Sequence, residues 1–487
     1  MRPSTIPRPP LVHRVMEGAA AKVRLEPGSF RDRNGRVFYQ DGAILRGLGA
    51  RAAREWQALS ATRFFHEAVN EGKIVRTEQA QRPRLLAAGR ANGWALVLEH
   101  EAIPFISYPY EWCFSQLKDA ALLQIDLLLR GLDEGVILKD ASAFNVQWRG
   151  VHPTFIDIPS FERWQAGDPW VGYRQFCQMF VNPLLLQAYK DIPFQAWLRG
   201  SIDGIAPEQC RNLMSFRDRL RPGVLAHVVL HARAQAAAGG RGDVKQSLRA
   251  AGFSADLIQR NARGLRSLIE GLEWKRSTSV WANYAAQNSY ADQDRDAKIA
   301  FVREVVASRP RRLVWDLGCN TGTFARVAAE HADQVIAMDA DHLAVERLYR
   351  GLKQEQVSNI LPLVVNLADL PPALGWRGKE RKDLTQRGRP DLTLCLALLH
   401  HMVIGANIPL EEFVDWLSSA VGGDLVIEFV DREDPMVRTL LRNKDDIYDD
   451  YSVERFEACL SARYNVVRRE ALSSGTRTLY HAMAHGG

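Results

Sequence analysis

Apolar positions fall into two regimes along the chain. From Arg311 onward, LVWDL, QVIAM, LPLVV, DLTLCLAL and DLVIEFV are five strand-like runs separated by helical patterns. Such alternation predicts a parallel sheet flanked by helices. The tail departs from it, because RYNVVRRE and TRTLYHAMA are joined by the tight polar turn SSG, which predicts a terminal antiparallel hairpin. The earlier half is more mixed. Residues 28 to 49 alternate short apolar runs with Asn-Gly and Asp-Gly turns and predict a β-meander. Trp56, Leu59, Phe64 and Val69 stand near helical spacing in 51 to 70, GWALVLEH predicts a strand, and IPFISYPYEW is broken by proline. FSQLKDAALLQIDLLLRGL, from Phe114 to Leu132, predicts a buried helix that ends at Gly131 or Gly135. VILKDASAFNVQW and VHPTFIDIPSFE predict two short strands, each ending in a polar cluster, and helices follow over 172 to 235. The Ala- and Gly-rich stretch from Ala236 to Gly242 offers no side chain to anchor the backbone and reads as a linker. Residues 244 to 310 read as helical again.

Composition narrows the class without naming a function. A chain of 487 residues, 46% apolar and 25% charged, buries a substantial core and suggests two or three domains. The boundaries expected are 1–235, a linker with helices over 236–274, and 275–487. A net charge of +6 is too small to argue for nucleic acid. The six cysteines lie far apart with no CxxC spacing, which argues against a zinc site or a disulfide framework and for a reducing compartment. No 18-residue apolar run occurs, and prolines stand where a signal peptide would need its apolar stretch, so the expectation is a soluble cytoplasmic protein.

The densest chemical signal is LVWDLGCNTGTFARVAAE at 313 to 330, an apolar strand, an acid, a glycine-bearing turn and an amphipathic helix. Glycine at 318 and 322 permits positive φ and close approach of a ligand to the backbone. The segment Asp316, Gly318, Cys319, Asn320, Gly322 lacks the third glycine of the dinucleotide pattern and resembles the first signature of class I S-adenosylmethionine-dependent methyltransferases. Asp339 ends the next strand, 23 positions after Asp316, where the ribose-binding acid of a nucleoside-type cofactor is expected. By the same resemblance, Asn366 stands where an Asp usually accepts from the adenine amino group, with Asp369 as the other candidate. The resemblance covers roughly residues 275 to 487 and implies a seven-stranded Rossmann-like sheet. It also implies a helical cap in which Trp281, Tyr284, Tyr290 and Lys298 close over the cofactor, with ordinary packing as the alternative for the aromatics.

Acceptor chemistry is less specified. LALLHHM places His400 and His401 at the carboxyl edge, where His400 is the candidate base for a hydroxyl acceptor and strand capping is the competing reading. The segment GWRGKERKDLTQRGRP (375 to 390), with six cationic residues, is expected over the mouth of the site, either gripping an anionic acceptor or as a solvated insertion. No Asn-Pro-Pro-Tyr or Asp-Pro-Pro-Tyr element is present, and Cys395 has no preceding proline, so an oxygen or nitrogen acceptor remains.

In the first half, Asp140 and Asn145 have D-x-x-x-x-N spacing and Asp157 follows at a strand end. This resembles the catalytic loop and metal-binding acid of protein kinase-like phosphotransferases, and implies an α+β, degenerate kinase-like domain with a nucleotide or metal site for Mg-ATP at Asp140, Asn145 and Asp157. Leu138 replaces the usual histidine, Ile158-Pro159 replace Phe-Gly, and neither a glycine-rich phosphate loop nor a strand lysine is evident. Loop structure alone is the competing account of these residues. Across nearly its full length the chain resembles bacterial two-part proteins of the class I methyltransferase kind related to host-specific nodulation methyltransferases. PFISYPYEWCFSQLKDAALL, WVGYRQFCQMFVNPLLL and LALLHHMVIGANIPLEEF carry that likeness. The expectation is a methyltransferase whose first domain selects or presents a small-molecule or glycan acceptor. A bifunctional kinase-methyltransferase and a scaffold with a vestigial cofactor site are the alternatives.

Overall fold

The structure, a computed structural model, describes residues 23–83, 85, 92–233, 254–279, 292–442, 444–445 and 447–485. Trp281, Tyr284, Tyr290 and the linker expected over 236–242 lie outside these residues.

The first half opens with a five-stranded antiparallel sheet. Its strands are β1 (Arg24–Leu25), β2 (Gly35–Gln40), β3 (Ala43–Leu48), β4 (Thr77–Gln79) and β5 (Leu96–His100), in the order β1-β2-β3-β5-β4. The β2–β3 hairpin turns on Asp41 and Gly42, both at positive φ, which matches the right-handed twist of the strands it joins. The helix Phe114–Asp133 follows, with an almost wholly apolar face buried from Phe114 to Leu132. Gly131 lies inside it, and the chain turns at Gly135, whose φ of 74° is left-handed.

Beyond the helix, four short strands replace the two expected: β6 (Val136–Leu138), β7 (Val146–Arg149), β8 (His152–Phe155) and β9 (Phe161–Arg163). β6 pairs β9 and β7 pairs β8, so each polar cluster becomes a loop between two small antiparallel ladders. The helix Ala255–Glu270 then packs back against Phe114–Asp133.

The second half is a seven-stranded sheet built from β10 (Arg311–Leu317), β11 (Ala332–Asp339), β12 (Ile360–Val364), β13 (Leu392–Cys395), β14 (Asp424–Val430), β15 (Tyr464–Ala471) and β16 (Arg477–Ala484). Its order is β12-β11-β10-β13-β14-β16-β15. The first five strands are parallel and β16 runs antiparallel to both β14 and β15. Every residue of β12, β13 and β14 is buried, as a sheet covered on both faces requires, whereas β15 at the edge is mostly exposed. Strand order reverses between β10 and β13, and a crevice opens at the carboxyl ends of a sheet at such a point.

The halves share one apolar core. Arg387, in the segment joining β12 to β13, is buried against Glu111 of the first half with two hydrogen bonds of 2.7 Å. Ser115 donates its backbone N–H to Glu346 at 2.9 Å, and Tyr349 donates its hydroxyl to Asp119 at 2.5 Å. Among the described residues no helix is long and apolar enough to cross a membrane.

Candidate cofactor site

A cavity of about 510 Å³ opens at the carboxyl edge of the seven-stranded sheet. β10 delivers Asp316 to its floor, and the turn that follows carries Gly318 and Asn320 at φ of 73° and 49°. Backbone N–H groups of Gly318 and Cys319 both donate to the Met338 carbonyl, at 2.9 and 3.0 Å, which fastens this turn to the end of β11. Asp339, the last residue of β11, accepts from the Asn320 N–H through one oxygen and from the Asp341 N–H through the other, both at 2.8 Å. Its carboxyl is therefore fixed in orientation, with lone pairs left for a ligand.

Asp316 differs. It is buried, its Oδ2 meets no hydrogen-bond partner among the described residues, and burial together with the neighbouring Asp339 carboxyl pushes it up to about 7. A buried carboxyl without a cation resists ionisation. Burial likewise raises the Cys319 thiol, which lines the cavity as an inert wall.

Asn366 reaches the rim from the end of β12, but its amide oxygen already accepts the Ala368 N–H at 3.1 Å. Asp369 is absent from the lining; it is exposed and pairs with Arg199 of the first half at 2.9 Å. Gly322 is also outside the lining. It caps the helix Thr323–Ala329 at φ 80°, and a Cβ there would come within 2.5 Å of Leu348, so its glycine serves helix packing.

The histidine pair divides the roles. His400 is buried outside the lining, and its Nδ1 meets no hydrogen-bond partner among the described residues. His401, its ring tilted against that of His400 with centroids 4.1 Å apart, is the one of the pair that lines the cavity. A two-residue pattern could not tell them apart, because the chain begins a π-helical turn at His401. Burial holds His401 down to about 4, so its ring is neutral at ordinary pH.

Sequence reading missed what supports the loop after β13. Lys298, buried on the helix Asp292–Ala307, pairs with Glu428 of β14 at 2.6 Å, and Glu428 also binds Arg477 at 3.1 Å and the Ala397 N–H at 2.9 Å. Arg477 in turn grips Asp434 at 2.8 Å. Ala397 sits at φ 49°, so this buried charge chain clamps a strained residue at the cavity wall. An acid inside the apolar run DLVIEFV was the available signal.

A second cavity, of about 910 Å³, brings Asp140, Asn145 and Asp157 together beneath the five-stranded sheet. Asp157 pairs with Arg46 of β3 at 2.8 Å and accepts from the Ser160 hydroxyl at 2.5 Å. Asn145 donates to the same hydroxyl at 3.2 Å, and burial plus the facing Asp157 raise Asp140 above the usual carboxylate range. Arg46, a lone cation inside the strand AILRGL, was legible as an oddity in the sequence. The insertion expected at the mouth of the first cavity lies here instead, where Glu380, Arg381 and Lys382 form part of the wall.

Over 456 residues the chain is 38% identical to nodulation protein NoeA of Rhizobium meliloti (strain 1021), a match that covers 93% of this chain and 94% of that protein. The chain belongs to the NoeA family of nodulation proteins. Because so much of the chain is matched, the family likeness includes both halves. No protein-family model matches the chain. Among solved structures it is similar to N-methyltransferase NodS from Bradyrhizobium japonicum WM9 in complex with S-adenosyl-l-homocysteine, at 14% identity, covering 42% of this chain and 91% of that one, with a TM-score of 0.30. It is also similar to magnesium protoporphyrin IX methyltransferase (ChlM) from Synechocystis PCC 6803 with bound SAH, at 17% identity, with the same coverages of 42% and 91% and a TM-score of 0.30.

Proposed function

We propose that this member of the NoeA family is an S-adenosylmethionine-dependent methyltransferase acting on an oxygen or nitrogen acceptor, with the cofactor in the cavity at the carboxyl edge of the seven-stranded sheet. The observation that carries the reading is the buried, unpartnered Oδ2 of Asp316 beside Asp339. A cation entering that cavity would restore the Asp316 carboxylate, and a ligand that is at once cationic and a ribonucleoside suits both acids. Asp339 would accept from the ribose hydroxyls, and Gly318, with no side chain, leaves room for the ligand at the turn. With one lone pair of its oxygen taken by Ala368, Asn366 keeps a second lone pair and its amide N–H groups for the edge of adenine.

The bound cofactor supplies an electrophilic methyl group. The chain then has two tasks, to align the acceptor and to take its proton. His401 carries the second, because its imidazole, kept neutral by burial, stands at the cavity wall. The first half selects or presents the acceptor, a small molecule or glycan, and supports this role by supplying most of the second cavity's wall. Phosphoryl transfer is less favoured, since Asp157 is already committed to Arg46. A role in nodulation and a cytoplasmic location belong to the same proposal.

Calorimetry with S-adenosylhomocysteine tests it. Saturable binding at one site is expected, weakened about 10- to 100-fold in Asp339→Ala, the loss of a hydrogen bond to a charged group being worth roughly 1.5–3 kcal/mol. A folded protein that binds neither S-adenosylhomocysteine nor S-adenosylmethionine would sink the reading. Transfer of labelled methyl groups into bacterial extract would then identify the acceptor.

A further inference from the structure

We infer that the second cavity is a metal-independent site for a small ligand bearing a phosphate or carboxylate group, and that Arg381, contributed by the other half of the chain, is the residue that grips it. The argument begins with the cleft's cations. Arg46 is taken by Asp157 at 2.8 Å, Lys139 by Glu162 at 3.3 Å and Lys382 by Glu26 at 2.9 Å. Arg31 is taken by Glu380. Arg51 is exposed to solvent, and Arg381, which is buried, has no such partner among the described residues. It is only 8% exposed, and its Nε and Nη1 are buried without a hydrogen-bond acceptor among the described residues.

A buried guanidinium left in that state is costly, and the usual remedy is an anion held in its planar fork. Arg387, six residues on and with its side chain also buried, shows the contrast, because it has Glu111 on two hydrogen bonds. The geometry around Arg381 is also prearranged. Its backbone exchanges hydrogen bonds with Leu374, at 2.8 and 3.1 Å, and its guanidinium lies 5.3 Å from the centre of the Phe144 ring, so the side chain is held from both sides. Glycines at 375 and 378, with φ of 86° and 64°, make the turn that delivers it. Beside this turn, a Cβ on Gly28 would come within 2.6 Å of the Lys379 carbonyl, so the two halves meet closely here.

The metal-independent character follows from Asp157. A divalent cation needs free carboxylates. Here Arg46 and the Ser160 hydroxyl engage the two oxygens of Asp157, so the cleft offers an acceptor for a ligand hydroxyl or amine at Asp140 and an anion partner at Arg381.

The test uses the full-length protein in EDTA, titrated separately with pyrophosphate and malonate while thermal unfolding and heat of binding are followed. At least one anion is expected to bind saturably and raise Tm, because a ligand that binds only the folded state stabilises it. The better of the two identifies phosphate or carboxylate as the recognised group. Arg381→Met should weaken that binding at least tenfold, leave S-adenosylhomocysteine binding in the first cavity unchanged, and leave the anion-free Tm unchanged or higher. Arg381→Lys, which keeps the charge but not the fork, should fall between. Three results would overturn the inference: no response to either anion, an unchanged response in both Arg381 variants, or a response that appears only with magnesium and is abolished by Asp157→Asn.

Discussion

At the scale of single residues, the two acids of the first cavity do different work because their surroundings differ. Asp339 is held by two backbone N–H groups, whereas Asp316 lies in the dark of the sheet with an empty oxygen and is pushed up to about 7. A cationic ligand binds the ionised form, so below about pH 7 it must displace a proton. Affinity for S-adenosylmethionine should therefore fall by up to tenfold for each pH unit below 7 and level off above it, until the acid is ionised by the ligand itself. Asp316→Asn should flatten that profile and weaken binding, and titration in buffers of different ionisation enthalpy would count the proton released. The histidines give a second prediction. His401→Ala should lower kcat with little change in Tm, while His400→Ala, a buried truncation, should cost about 1–3 kcal/mol of stability, read by denaturant unfolding. The sequence made the pair visible and marked Asp316 and Asp339 by their strand ends. Which ring faces the cavity depends on a π-helical turn, and that Asp369 turns to Arg199 depends on a residue 170 positions away; neither is written in local spacing.

At the scale of elements, periodicity was a good guide where strands are long and buried on both faces. β10 to β14 and the closing hairpin coincide with the apolar runs that announce them. β7 and β9, of four and three residues, are created by their partners β8 and β6 and leave no pattern of their own. Gly322 illustrates a correct emphasis with a different cause. Its glycine is required by a left-handed φ and by Leu348 pressing on the helix start. Gly322→Ala should thus destabilise the protein by about 1–3 kcal/mol, seen as a lower urea midpoint, with the cofactor affinity of the folded fraction little altered.

At the scale of the whole molecule, the segment between β12 and β13 ties the two halves together. Its Arg387 enters the first half and is satisfied by Glu111 in a setting where neither side chain is more than 3% exposed. Removing one partner leaves the other charge buried, which costs about 3–5 kcal/mol. Glu111→Ala should accordingly lower the stability of both halves by that amount, in a single transition whether unfolding is followed at the first half or by protection of the seven-stranded sheet in hydrogen exchange. Sequence division at 236–274 gave no hint of this union, because the pair is separated by 276 positions and by an entire sheet.

The insertion that carries Arg381 and Arg387 is also the stretch of chain between the strand that leads to Asn366 on the rim of the first cavity and the strand that leads to its histidines. One ribbon thus joins two walls of the first vessel and is itself a panel of the second. Severing the polypeptide midway would not yield two working modules, since the second fragment would carry away part of the first's container, and a gene fusion or exchange that respects the sequence boundary would leave the recipient's cleft without its borrowed side.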